Sequence, residues 1–205
     1  EETARAADNK RIFQLYVRGD ASFEDDYVRR AIDNGFYAFC VTVDTAHYSR
    51  RERDMANRFV KPWRVSATGM EYQAMYTWDN VKRFKDTHDI PLILKGIGTA
   101  EDAALCVEHG VDGVYVSNHG GRQLDAGQST IKPLAELARL FGHRTTVMMD
   151  SGIRSGSDIA CALASGAHST FLGRSFMYGV GALGKDGGQH TATMLKRQLK
   201  QVMEQ

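Results

Sequence analysis

The chain has 205 residues, 42% hydrophobic and 25% charged, with a formal net charge of +1, which is one domain's worth of ordinary globular material able to bury a core. So balanced a charge offers no electrostatic basis for binding nucleic acid or a membrane surface. No apolar stretch is long enough to span a bilayer, Glu1-Glu2-Thr3-Ala4-Arg5 is not a secretory leader, and Val202-Met203-Glu204-Gln205 is not a peroxisomal address, so a cytoplasmic location is expected.

In chain order, apolar runs at 11–16, 38–44, 91–95, 113–118, 145–150 and 169–174 read as strands. Helical patterns fall between them. They cover 24–34, then 77–88 with Thr77 as N-cap, then 99–109, which opens on a Thr-Ala-Glu-Asp capping-box pattern. The remaining three are 129–141, 157–164 and an amphipathic stretch at 193–203. Gly35, Gly110, Gly142 and Gly166 stand where left-handed C-caps are expected. Cys40, Cys106 and Cys161 are scattered, with no CxxC pair, so buried reduced thiols are expected rather than a disulfide frame. No His and Cys residues cluster at zinc spacing, and no metal is expected.

Repeated βα units imply a parallel sheet covered by helices. An open doubly wound sheet gathers its chemistry in one crevice, whereas a (β/α)8 barrel gathers it at the carboxyl ends of many strands. Here reactive residues close nearly every strand: Gln14 and Tyr16, Thr42 and Asp44, Lys95, Ser117 with His119, Asp150, and Gly173-Arg174. That distribution favours the barrel.

Three groups carry chemistry. Ser117-Asn118-His119-Gly120-Gly121-Arg122-Gln123 follows the strand at 113–118 and sets a histidine beside an arginine. Histidine can accept a proton near neutral pH, and the arginine fork matches a carboxylate. Asp150-Ser151-Gly152-Ile153-Arg154-Ser155-Gly156 and Gly173-Arg174 combine glycines, which let backbone approach phosphate oxygens, with arginines. Lys95 ends an apolar strand, where an ammonium is costly to bury without a negative partner.

The 117–123 heptapeptide resembles the active-site signature of the FMN-dependent α-hydroxy-acid oxidases and dehydrogenases, the glycolate oxidase and lactate oxidase family. The resemblance runs almost end to end. It implies an α/β (β/α)8 TIM barrel of which residues 1–205 supply about the last six βα units. The first strand here takes the third barrel position, and the active-site loop near 62–74 is shortened. It implies FMN held by Gln14, Thr42, Lys95 and Ser117 around the ring. The phosphate and ribityl chain would lie on Asp150, Ser151, Gly152, Ile153, Arg154, Gly173 and Arg174. Ser151 departs from the family, where a second glycine is common. Lys95 matches the lysine beside the flavin N1–C2 carbonyl.

The same resemblance makes His119 the base and Asp44 its carboxylate partner. Tyr16, Arg51 and Arg122 would bind substrate. The segment Ala46-His47-Tyr48-Ser49 departs from a commoner Pro-containing pattern, so Arg50 and Arg51 both stand as candidates, with alignment favouring Arg51. The implied activity oxidises a small L-2-hydroxy acid to a 2-oxo acid and passes electrons to oxygen, a quinone or another acceptor, in a homotetramer. Carbanion and hydride routes both remain open. Other readings are a different phosphate-binding flavin or nucleotide barrel, such as an isomerase or an IMP-dehydrogenase-like enzyme, and a non-catalytic truncated barrel.

Overall fold

Each strand alternates side chains between two faces, and this alternation organises the molecule. The computed structural model describes residues 2–6, 8–47, 49, 51–60, 68–124 and 126–205. Its strands are β1 (Ile12–Leu15), β2 (Ala38–Thr42), β3 (Leu92–Ile97), β4 (Gly113–Val116), β5 (Thr146–Met149) and β6 (Ser169–Thr170). They form one six-stranded sheet in sequential order, every neighbouring pair parallel. The architecture is α/β with six parallel strands in a half-barrel, β1 and β6 forming its two edges.

The helices are α1 (Glu2–Arg5), α2 (Ala21–Asp33), α3 (Glu52–Ala56), α4 (Glu71–Ala74) and α5 (Trp78–Thr87), then α6 (Ala100–Glu108), α7 (Ile131–Phe141), α8 (Gly156–Ala164), α9 (Arg174–Leu183) and α10 (Gly187–Glu204). Among the described residues, no helix is long and apolar enough to cross a membrane.

One face of the sheet packs outward on the helices. Phe39, Val41, Leu92, Leu94, Val114 and Val147 are closed to solvent there, in one cluster with Val28, Phe84 and Leu134 of the helices. Burying each such side chain stabilises the fold by roughly 1.5–3 kcal/mol. The opposite face carries a smaller cluster, Ala38, Cys40, Ile93, Tyr115 and Met148, which gives way to polar residues toward the strands' carboxyl ends. The register places Thr42 beside Lys95 and Lys95 beside Tyr115.

Several expectations are corrected. Helix α2 starts at Ala21, before the expected 24, because the Asp20 carboxylate accepts from the N–H groups of Ser22 and Phe23 at 3.1 and 3.3 Å. The strand expected at 169–174 stops at Thr170, and the Phe171 N–H makes one further bond to Met149 O at 2.9 Å. Arg174 instead opens α9, whose glycines hid it from a propensity reading. A Cβ on Gly179 would lie 2.0 Å from Thr191 Oγ1, so glycine there permits the close α9–α10 crossing. Gly35, Gly110 and Gly166 do take positive φ, but Gly142 sits at φ −61° and keeps a helical bond to Ala138. Cys161 is exposed, unlike the buried Cys40 and Cys106.

Candidate active site

Beyond β4 the Ser117 N–H still reaches Ile97 O, at 3.3 Å. The chain then passes through three successive positive-φ residues, His119 at 58°, Gly120 at 71° and Gly121 at 71°. This left-handed turn brings the His119 ring against Asp44, which follows β2. His119 Nδ1 lies 3.0 and 3.2 Å from the two Asp44 carboxylate oxygens. With the carboxylate as acceptor, Nδ1 carries the hydrogen and the Nε2 lone pair is left for chemistry. Nε2 lies 3.3 Å from the Tyr16 hydroxyl. Both members of the couple are only 12% exposed, so solvent screens their interaction weakly.

Two neighbours fix Asp44. Gly96, at φ 111°, approaches so closely that an added Cβ would lie 2.5 Å from Asp44 Cβ. Gln123 Nε2 donates to the carbonyls of Asp44 at 2.8 Å and His47 at 3.0 Å, tying the loop after β4 to the segment after β2.

On the inner face, Lys95 meets the negative partner that its burial requires. Its Nζ donates to Ser117 Oγ at 2.8 Å and lies 3.4 Å from Asp150 Oδ2, with both charged side chains largely buried. The Tyr115 hydroxyl donates to the same Asp150 oxygen at 3.1 Å. Burial, reinforced by the Asp150 charge, pushes the Tyr115 hydroxyl's pKa upward and keeps it a neutral donor. Burial likewise pushes the neighbouring Cys40 thiol up to about 12. Gln14, exposed on the edge strand, donates to Thr42 Oγ1 at 2.7 Å.

A cavity of about 230 Å³ runs from Tyr16, Lys95, His119 and Arg122 to the loop following β5 and the start of α9. Arg122 stands at its exposed rim. Partial desolvation, then the nearby charges of Arg51 and Arg174, hold the Arg122 pKa below the ordinary arginine value. Guanidinium groups gathered in this way repel one another until an anion joins them. Arg51 donates through Nε to Ser49 Oγ at 3.2 Å; Arg50 lies outside the described residues, as do residues 62–67 of the expected shortened loop.

At the far end, Ser155 and Asp158 cap α8, with Asp158 Oδ2 accepting from the Arg154 and Ser155 N–H groups at 2.9 Å. Helix α9 has no side-chain cap, because Gly173 occupies its N-cap position. Its first-turn N–H groups are therefore suited to an anion.

The structure thus brings Tyr16, Asp44, His119, Lys95, Ser117, Asp150 and the arginines to one mouth. Ser151, Gly152, Ile153, Arg154 and Gly173 line the same cavity. Sequence reasoning gave no role to Tyr115, Gln123, Gly96 or Thr130, whose Oγ1 donates to Asp150 O at 2.8 Å. Tyr115 was within reach, since it alternates in phase with Ser117 along one strand. Of the histidines other than His119, His88 pairs with Asp25, His109 stacks on Trp78, and His168 accepts from the Val147 N–H.

A half-barrel of parallel strands whose reactive residues gather at the strands' carboxyl ends has the layout of the active-site face of an α/β barrel. The family model described as FMN-dependent dehydrogenase matches residues 1–205, and the chain belongs to that family, which binds FMN. It is 35% identical over 222 residues to a peroxisomal (S)-2-hydroxyacid oxidase of Arabidopsis thaliana, covering 99% of this chain and 61% of that protein. It is 36% identical over 225 residues to glycolate oxidase of Spinacia oleracea, with the same coverage. A mandelate oxidase structure with a bound difluorinated hydroxy acid superposes at a TM-score of 0.89 and 38% identity, over 99% of this chain and 60% of that one. A monotopic membrane (S)-mandelate dehydrogenase superposes at 0.88 and 32% identity, over 100% and 65%. The chain spans about three-fifths of the length of these curated relatives.

Proposed function

We propose that this polypeptide supplies the greater part of the active site of an FMN-dependent oxidase or dehydrogenase acting on small L-2-hydroxy acids. The observation that carries the reading is the His119–Asp44 couple, its Nε2 turned toward Tyr16 beside a rim of arginines.

The residues present fit FMN. Gly152, at φ 85°, and Gly173 have nothing within 4 Å of an added Cβ, so both leave open space beside Arg154 and Arg174 for phosphate oxygens. Asp150, Ser151 and Ile153 complete that end, while Gln14, Thr42, Lys95 and Ser117 offer polar groups for the ring. Bound there, FMN would accept the two electrons released by the substrate.

The chain's own groups do the rest. Arg122 and Arg51 dock the substrate carboxylate, and the Tyr16 hydroxyl orients its oxygens. His119 Nε2 takes the proton, and Asp44 holds the required tautomer and stabilises the imidazolium. A cytoplasmic homotetramer passing electrons to oxygen, a quinone or another acceptor belongs to the same proposal. The test is formation of the 2-oxo acid by the full-length protein from glycolate, L-lactate and (S)-mandelate. Product from at least one of them is expected. No product from any of the three overturns the reading.

A further inference from the structure

We propose that the Ser151 hydroxyl is a positioning group for His119, holding the Gly120 peptide in place against the Asp150–Lys95 pair. The proposal rests on the reading of His119 as the base and extends it to a residue outside the reacting set.

Ser151 stands at φ 76° and His119 at φ 58°, both non-glycine residues in the left-handed region. Each such residue costs of order 1 kcal/mol and persists only where its surroundings over-determine it. For Ser151 the surroundings are explicit. The Gly120 N–H donates to Ser151 Oγ at 3.0 Å, and the Ser151 hydroxyl donates onward to Asp150 Oδ1 at 2.7 Å. Thr130 Oγ1 donates to the Asp150 and Ser151 carbonyls, at 2.8 and 3.3 Å, and so anchors the strained backbone from behind.

The other side of the Gly120 peptide is also held. Its carbonyl accepts from Arg174 Nη2 at 2.8 Å, and an added Cβ on Gly120 would lie 2.7 Å from that nitrogen. The His119 N–H donates to Ser117 Oγ at 3.1 Å, the oxygen that also accepts from Lys95. Lys95 faces Asp150, and Asp150 accepts from Ser151. A closed circuit therefore links Lys95, Ser117, His119, Gly120, Ser151 and Asp150. Within that circuit Ser151 Oγ joins the loop after β4 to the loop after β5, a crossing that Thr130 makes separately through the backbone carbonyls. A glycine at 151 would adopt this φ without strain but would open the circuit. The hydroxyl bonds to Gly120 and Asp150, so it acts on the histidine's loop, although Ser151 is also part of the cavity wall.

The test compares Ser151→Ala, Ser151→Gly and Ser151→Thr in the full-length protein carrying FMN. Alanine removes the hydroxyl and keeps the strain, glycine removes both, and threonine keeps the hydroxyl. Loss of one hydrogen bond at this point predicts about a tenfold fall in kcat for both Ala and Gly, with partial rescue by Thr. KM should move by less than about threefold, since the carboxylate clamp is intact, and FMN affinity should fall by much less than kcat. The second readout does not depend on turnover: the ring ¹⁵N shifts of His119, assigned with His119→Gln. They should report a fixed Nδ1–H tautomer in the parent protein and a tautomer mixture in Ala and Gly.

Loss with Ala but full activity with Gly would overturn the proposal in favour of backbone strain. A fall in FMN affinity that matches the fall in kcat would assign the hydroxyl to the cofactor instead. Unmoved ring shifts would also overturn it. A parent protein that converts no hydroxy acid would defeat the proposed function alone, because the ring shifts would still read the positioning of His119.

Discussion

Phe39 and Cys40 are neighbours in β2, and they face two different environments. Phe39 stacks on Phe13 and lies against Phe84, at centroid distances of 5.4 and 5.6 Å, within an apolar layer. Cys40 faces inward, where the charges of Lys95, Asp150 and Asp44 all reach it. The outer face is satisfied chiefly by shape and apolar area, and the buried Glu24 among its helices is paired with Arg83 and the Tyr76 hydroxyl. The inner face must pair every charge it buries, and it does so as Lys95 with Asp150 and His119 with Asp44. One sheet thus separates stability from chemistry by side-chain parity. Substitutions on the two faces should fail in different ways.

The sharpest break of that comparison is Phe39→Ala. Truncating a fully enclosed aromatic should cost ~3–5 kcal/mol of stability, read from urea denaturation of the FMN-loaded protein. Turnover per folded molecule should hardly change. A large loss of turnover with stability intact would show that the two faces are not separable.

Arg122→Lys tests the inner side at its rim. An ammonium cannot reproduce a two-pronged contact with a carboxylate, so kcat/KM should fall roughly tenfold while stability stays within about 0.5 kcal/mol. Unchanged steady-state constants with a hydroxy acid would remove Arg122 from substrate binding.

The smallest effect concerns the helix layer. Ser155→Ala should remove about 1 kcal/mol through the α8 cap, measured by thermal unfolding. Backbone N–H groups, led by that of Arg154, hold the Asp158 carboxyl below its ordinary value. A carboxyl depressed in the folded state stabilises above its unfolded pKa, and the stabilisation fades as pH falls through the folded one. The Asp158 contribution should therefore be complete at neutral pH and disappear in acid. An Asp158→Asn variant whose stability deficit is the same at neutral and acid pH would contradict this.

Much of this division is readable in the sequence, because strand parity and the 117–123 turn are local signals. All six strands begin within one residue of where the apolar runs place them, although the sixth stops at Thr170, and Tyr16, Lys95, His119, Asp150 and Arg174 come together around one cavity. Other features depend on contacts between distant parts of the chain. Helix α9 was missed because Gly179 and Gly181 weaken any propensity estimate, while the need for Gly179 comes from Thr191 in another helix. Gly96 looks like an ordinary strand-end glycine until Asp44 is found against it. Ser151 reads as a departure from a glycine pattern, and the use of its hydroxyl becomes visible only once Gly120 is packed beside it.

The central claim is that the inner face binds FMN and that His119 moves the substrate proton. Anaerobic mixing of the full-length protein with an L-2-hydroxy acid tests it directly, by following the flavin absorbance in the parent and in His119→Gln. Both should carry FMN in equal amount. The parent should bleach with formation of one equivalent of 2-oxo acid, and the variant should bleach ~10²–10⁴-fold more slowly. Bleaching of His119→Gln at more than half the parent rate would contradict the account.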